Sequence, residues 1–108
     1  MAGNEEWGID KEIMLHYHSM TTLYEWAENA VTGKVGGIGF RDVNGYYEGV
    51  VRHSNEVARL LEQIKSSSPM ILKPFDLALC EHEAPKIGNE CREKLKKRYR
   101  SIGLECTL

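Results

Sequence analysis

Four potential metal ligands occur in the sequence as two pairs, His16 with His18 and Cys80 with His82. Residues two apart in a β-strand point to the same face of a sheet, so each pair could chelate one ion. Apolar residues take the alternate positions in both segments, which would place both pairs on the non-core face of neighbouring strands. Three imidazoles and one thiolate suit zinc. Zinc is therefore the candidate cofactor, against the simpler interpretation of four unconnected polar residues.

A glycine-rich run from Gly33 to Arg41, GKVGGIGFR, is the second candidate site. Backbone N–H groups of clustered glycines, together with one cation, can surround a phosphate. The residues that would do so are Gly36, Gly37, Gly39 and Arg41. The competing interpretation is structural, with a glycine that ends a helix and a glycine loop that enters a hairpin.

The same run resembles the phosphate-binding signature of acylphosphatases, GxVQGVxFR, and the order of elements after it is similar to the second half of that family. The resemblance implies acylphosphatase activity, with Arg41 as the phosphate ligand. Gly36 stands where the family has glutamine, and the family's catalytic asparagine has no counterpart. In the family the signature follows a strand and opens a helix, whereas here Arg41 leads into a predicted turn. The enzyme is therefore kept as an alternative function.

A third candidate is the basic stretch KLKKRYR near the C-terminus. One aromatic residue among cations could contact nucleic-acid phosphates. The favoured interpretation is a solvated helix face whose cations lie at the favourable end of the helix dipole. The net charge of −2 also provides no general attraction for nucleic acid, which is not expected as a partner. The residues concerned are Lys94, Lys96, Lys97, Arg98 and Arg100.

The clearest signal for an element that could position these residues is a β-hairpin. Asn44-Gly45 is a preferred type I′ turn pair, because both positions need positive φ. A two-residue loop there gives a register with one core face. The predicted core-facing residues are Ile38, Phe40, Tyr47 and Val51.

Helices and further strands are predicted after the hairpin. Apolar residues at helical spacing predict a helix from Val57 to Ile64. A second helix is predicted from about Pro85 or Asn89 to Ile102, followed by Gly103 as its left-handed cap. Alternating apolar residues predict a strand around Met70 to Glu83, and residues 104–108 could add a short final strand.

Residues 10–32 allow two interpretations. Ile13, Leu15 and Tyr17 alternate with polar residues as in a strand, with a helix beginning at Thr22. Alternatively, one long helix starts at Asp10, because an apolar stripe continues to Val31. The sequence favours neither of the two.

The predicted fold is a small α+β two-layer sandwich, with a mostly antiparallel sheet and helices on one face. The strand interpretation gives a ferredoxin-like βαββαβ order plus a C-terminal helix and short strand. Residues 1–8 are predicted to be a flexible N-terminal segment, and residues 9–108 to be a single domain.

Composition and the lack of a complete catalytic set guide the functional prediction. No apolar run is long enough to span a membrane, no signal peptide precedes the chain, and three cysteines without a CxxC pattern suggest reduced thiols. We therefore expect a cytoplasmic binding or regulatory module that acts through a homodimer or a partner protein, and not an enzyme.

Overall fold

The computed structural model describes residues 8–66 and 71–107, and all regular secondary structure within these ranges is helical. The elements are α1 (Ile9–Val31), α2 (Phe40–Lys65), α3 (Pro74–Ala78), a π-helical segment (Leu79–Glu83) and α4 (Ala84–Arg100). The last three follow without a break and form one rod beside α1 and α2. The result is a three-helix bundle-like fold, with principal extents of 47 × 25 × 24 Å.

The three rods run up, down and up. Glu28 of α1 meets Tyr47 of α2, and Asn44 of α2 meets Arg98 of α4, so neighbouring rods are antiparallel. α1 and α4 run parallel, and Glu28 also pairs with Lys94. The core lies between the rods. Its fully buried large side chains are Ile13, Met20, Tyr47, Val50, Val51, Val57, Ile64, Cys80, Cys91 and Leu95.

The predicted α+β sandwich, including its ferredoxin-like strand order, is wrong, because the described residues form helices and no strands. The main error is the hairpin at Asn44-Gly45, which lies inside α2. A glycine within a helix costs about 0.5–1 kcal/mol, whereas each buried aliphatic side chain contributes about 1.5–3 kcal/mol. The apolar stripe of α2 therefore outweighs the local turn preference. Its buried residues are Val43, Asn44, Tyr47, Val50, Val51, Ser54, Val57, Leu60, Leu61 and Ile64.

The N-terminal third adopts the long-helix alternative, and the strand alternative is wrong. The buried residues of α1 are Ile13, Tyr17, Met20 and Ala27, which recur at helical spacing. Thr22, the start of the shorter predicted helix, lies in the middle of α1. Gly33 adopts a φ of +80° after the last turn, as its type predicts. Of the predicted flexible segment, residues 1–7 lie outside the described residues.

The strand predicted around Met70 to Glu83 is wrong over residues 71–83, which form α3 and the π segment. Phe75 is 73% exposed, so the alternating pattern does not define a buried face. Pro85 accounts for the π segment: proline lacks an N–H group, and its ring clashes with the carbonyl four residues earlier in an α-helix. The wider turn before it bonds the Ala84 N–H to the Leu79 carbonyl, five residues back.

The predicted C-terminal helix is confirmed as α4. Gly103 follows it with a φ of +79°, and the N–H group of Leu104 bonds the carbonyl of Tyr99 at 2.9 Å. This is the expected left-handed cap. The predicted final strand is wrong over residues 104–107, which are irregular. Within the described ranges, no helix combines the length and apolarity needed to cross a membrane.

α2 and α4 approach closely where Ser54 faces Ala84 and Gly88. The Ser54 hydroxyl donates to the Ala84 carbonyl at 3.0 Å. A Cβ atom at Gly88 would lie 2.3 Å from the Ser54 Oγ and 2.7 Å from its Cβ. Small residues on α4 therefore allow the two helix axes to come together, and this contact sets how α4 sits along α2.

Gly88→Ala should destabilise the protein by about 1–3 kcal/mol, because the added methyl group must push α4 away from Ser54. Gly45→Ala is the matched control, since Gly45 also lies within a helix but has nothing within 4 Å of its missing Cβ. It should stabilise by about 0.5–1 kcal/mol. Urea unfolding measures both, and equal effects at the two positions would contradict the close approach.

Candidate functional site

Two separately predicted groups meet at the end of the bundle where α2 begins and α4 ends. Arg41 comes from the glycine run, and Arg98 and Arg100 come from the basic stretch. Antiparallel pairing of α2 and α4 places Arg41 in the lining of a cleft of about 530 Å³. We call this the α2–α4 cleft. It is lined by Phe40, Arg41, Asn44, Gly45, Glu48, Tyr99, Ile102 and Leu104. Arg98 contacts Phe40 and Asn44 of its wall, and Arg100 lines an adjoining hollow.

Large apolar side chains remain open to solvent in this cleft. Phe40 is 41% exposed, Ile102 53% and Leu104 58%. The left-handed residue Gly103 turns the chain after α4, so that Leu104 lines the cleft as well as a second hollow beside Lys96 and Arg100. An apolar surface of this kind, bordered by polar residues, is typical of an interaction site.

Hydrogen bonds hold the walls of the cleft. The Arg98 guanidinium lies 4.3 Å from the centre of the Phe40 ring and donates to the Asn44 side chain and to the Phe40 carbonyl. The Tyr99 hydroxyl donates to the Glu48 carboxylate, which raises the pKa of Tyr99. Tyr99 therefore stays protonated and acts as a donor, not as a base. The walls are thus already in place before any ligand binds.

Cations outnumber carboxylates around the cleft and the two hollows that adjoin it. The cationic lining residues are Arg41, Arg52, Lys96 and Arg100, and the acidic ones are Glu48 and Glu105. Glu48 is engaged with Tyr99, and Lys96 is engaged with Glu93. Because the whole chain carries a net charge of −2, this end is basic relative to the rest. Apolar groups and positive charge together favour an apolar, acidic ligand.

The basic stretch does not form one continuous free surface, because α4 distributes its members around the helix. Lys94 faces the bundle and pairs with Glu28 at 3.2 Å. Lys96 pairs with Glu93, and Arg98 is held by α2. Lys97 and Arg100 are exposed. The stretch is therefore divided between internal contacts and the border of the cleft.

The glycine run forms the exposed loop between α1 and α2. Gly36 and Gly37 are exposed, and Gly39 directly precedes α2. A long helix does follow the run, contrary to the sequence interpretation, but α1 and not a strand comes before it. Asp42 places a carboxylate in the first turn of α2, where it competes with any anion. The setting of the acylphosphatase signature is thus not reproduced.

The predicted zinc ligands are not brought together. His16 and His18 both lie on α1, where residues two apart point in different directions. The buried Cys80 thiol lies 3.8 Å from the Met14 sulfur, and His82 is exposed. Residues 8–66 and 71–107 contain no group of three or more His, Cys, Asp or Glu side chains that could hold a metal ion.

His16 instead pairs with His53 of α2, with 2.8 Å between the two Nδ1 atoms. One ring must donate and the other accept, which requires at least one neutral imidazole. Burial and the nearby His16 lower the pKa of His53, although Glu56 opposes this. Sequence patterns did not single out His53, since only the antiparallel pairing of α1 and α2 places it beside His16.

Acid should weaken the α1–α2 contact. His53 takes up a proton more readily in the unfolded chain, where its pKa is about 6.5, so the free energy of unfolding falls as the pH drops below that value. Thermal unfolding between about pH 5 and 8 should show this loss. His53→Gln should flatten the profile, whereas His82→Gln, at an exposed position, should not. Identical profiles in both variants would contradict the pair.

A second hydrogen-bonded network joins all three rods. Tyr47 donates to Glu28 at 2.5 Å, Lys94 pairs with Glu28, and Tyr24 donates to Glu90. Burial and the bond to Glu28 raise the pKa of Tyr47, and the bond to Glu90 followed by burial raises that of Tyr24. Burial would raise the pKa of Glu28, but Tyr47 and Lys94 outweigh it and lower that pKa.

This network stabilises the fold and has no free nucleophile. The neighbouring Cys91 thiol is fully buried, and burial raises its pKa to about 12. A protonated thiol is a poor nucleophile. The tyrosines likewise keep their protons at neutral pH. The arrangement therefore connects helices and does not resemble a catalytic group.

Tyr47→Phe should destabilise the protein by about 1–3 kcal/mol, because Glu28 loses its buried donor. Tyr46→Phe is the matched control: Tyr46 packs edge-on against Trp26, and its hydroxyl has no partner within the described residues. It should change stability by less than about 0.5 kcal/mol. Chemical denaturation compares the two, and equal losses would count against the network.

A second apolar surface lies at the loop end of the α1–α2 pair. Trp26 is 52% exposed and packs edge-on against Tyr46, with 5.8 Å between ring centres. A hollow of about 330 Å³ beside these rings is lined by Trp26, Asn29, Val35, Ile38 and Tyr46. These residues carry no charge, so the surface does not indicate the charge of a ligand.

Comparison with known proteins leaves the geometry as the basis for function. Neither a protein-family model, nor a curated protein, nor a solved structure matches this chain. Of the features described, the α2–α4 cleft combines apolar exposure, charge and fixed walls. It is the candidate functional site.

Proposed function

We propose that this chain is a protein-binding module that takes up a segment of a partner polypeptide in the α2–α4 cleft. The carrying observation is the exposure of Phe40, Ile102 and Leu104 between walls that are already held by hydrogen bonds. Fixed walls reduce the ordering cost of binding, so modest apolar burial can give useful affinity. The partner is another protein or a second copy of the chain.

A role in binding fits the chemistry of the cleft better than catalysis does. The ionisable groups of the cleft and its adjoining hollows are cations, two carboxylates, the Cys106 thiol and a tyrosine whose pKa is raised. A general base or nucleophile needs a pKa tuned towards neutrality. Cationic lining residues instead steer an acidic ligand into place.

The cytoplasm is the compartment that fits this proposal. Cys80 and Cys91 are buried as free thiols, and Cys106 is also unpaired. Thiols stay reduced in the cytoplasm, and a fold without disulfides needs no oxidising compartment. Nucleic acid is not proposed as a partner, because the basic stretch is largely engaged within the molecule.

Selection of a random peptide library, displayed on phage, on the immobilised protein tests the proposal. Binding peptides should lose at least about tenfold in affinity for the double variant Ile102→Ser/Leu104→Ser, because the cleft loses its apolar lining. Val35→Ser is the matched control, since Val35 is similarly exposed on the other apolar surface. It should bind the peptides as the wild type does.

The melting temperature of the double variant distinguishes loss of the binding site from loss of the folded structure. Ile102 and Leu104 are more than half exposed, so the double variant should keep its melting temperature within a few degrees. The proposal fails if no peptides are enriched, or if the enriched peptides bind the double variant as well as the wild type.

A further inference from the structure

The first seven residues, MAGNEEW, have a composition complementary to the α2–α4 cleft. Glu5 and Glu6 supply two adjacent carboxylates, and Trp7 supplies a large apolar ring. The cleft offers an open apolar floor with Arg41 in its lining, and Arg100 lines the adjoining hollow that shares Leu104 with it. Tryptophan anchors are frequent in interfaces because one side chain buries a large apolar area.

This segment cannot reach the cleft of its own chain. Gly8 precedes α1, and the cleft lies beyond the level of Glu28, which faces Tyr47. Twenty residues of α1 rise about 30 Å, and seven residues of α2 between Phe40 and Tyr47 add about 10 Å. Seven extended residues span at most about 25 Å. The cleft is therefore too far along the bundle.

A second copy removes this obstacle. When two bundles lie side by side and antiparallel, the start of α1 in one copy is level with the α2–α4 cleft of the other. The segment of one copy lies within reach of the cleft of the other, and its carboxylates are opposite in charge to the arginines there. We therefore propose that the cleft binds the N-terminal segment Met1–Trp7 of a second copy of the chain. The inference rests on the proposed function, because it names the occupant of the same cleft.

The arrangement is reciprocal, so each copy gives one segment and receives one. Binding of the first segment holds the second close to its cleft, and the two weak contacts reinforce one another. Because the exchange is reciprocal, the dimer is isologous and closed, and further copies do not add to it as a filament. The two copies do not need a large flat interface between their helices.

Sedimentation equilibrium of the full chain over a concentration series tests the proposal. The wild type should form a dimer with micromolar affinity. Trp7→Ala, the pair Glu5→Gln/Glu6→Gln and the pair Arg41→Gln/Arg100→Gln should each weaken it at least about tenfold. Lys34→Gln removes an exposed cation that does not line the cleft, and it should leave the dimer unchanged.

Charge reversal tests whether the segment and the cleft contact one another. Glu5→Arg/Glu6→Arg should give a monomer, and so should Arg41→Glu/Arg100→Glu. An equimolar mixture of these two proteins, or a single chain that carries all four changes, should recover association. Circular dichroism of each variant checks that the helices are retained.

Tryptophan fluorescence gives a second measurement. The sequence has two tryptophans, so Trp26→Phe leaves Trp7 as the single reporter. Its emission should shift to shorter wavelength as the concentration rises and the ring leaves water. The shift should disappear when Arg41→Gln/Arg100→Gln is added.

Three results would overturn the inference. These are a chain that stays monomeric up to about 1 mM, a dimer that survives Trp7→Ala, and charge-reversed proteins that fail to recover association together. The proposed function is judged separately. Peptides that bind the cleft of a monomeric chain would support the binding module while rejecting this occupant, whereas the absence of any such peptide would reject the module itself.

Discussion

The contact between Ser54 and Gly88 is the constraint on which the rest of the structure depends. It fixes both the separation of α2 and α4 and their relative position along the bundle axis. Ten residues after Gly88, Arg98 then meets Phe40 and Asn44 at the start of α2. A bulkier residue at position 88 would move α4, and the cleft would lose its walls without any change in its own residues.

Local signals predict where α1 and α4 end, but they do not predict the helix starts at Ile9 and Phe40 or the fold class. Gly33 and Gly103 both adopt the left-handed conformation that their positions after apolar stripes indicated. Asn44-Gly45 carried an equally strong local signal and was misleading, because the stripe of α2 runs through it. The turn preference depends on two residues alone. The burial of the α2 stripe depends on the positions of the other helices, and local sequence patterns do not give these positions.

The sequence indicates individual residues around the candidate site, but it indicates a different function for each group of them. The sequence pattern indicates phosphate binding for Arg41 and nucleic-acid binding for Arg98 and Arg100, yet all three lie at one end of the bundle because α2 and α4 are antiparallel. The structure separates the predicted histidine ligands for the same kind of reason. The strand interpretation pairs His16 with His18, whereas in the helix His16 contacts His53 of α2. Residues far apart in sequence, such as Glu28 and Tyr47, have no local signal that relates them.

The cleft is built from the start of α2 and the residues after α4, which are separated by most of the chain. During synthesis from the N-terminus, α1 and α2 can pair as soon as both have left the ribosome, because the two helices follow one another along the chain. Ile102 and Leu104 emerge after both helices and complete the cleft only then. A nascent or truncated chain can therefore be largely helical and still have no binding surface, so recognition through this cleft reports that the chain as far as Leu104 has been made and folded.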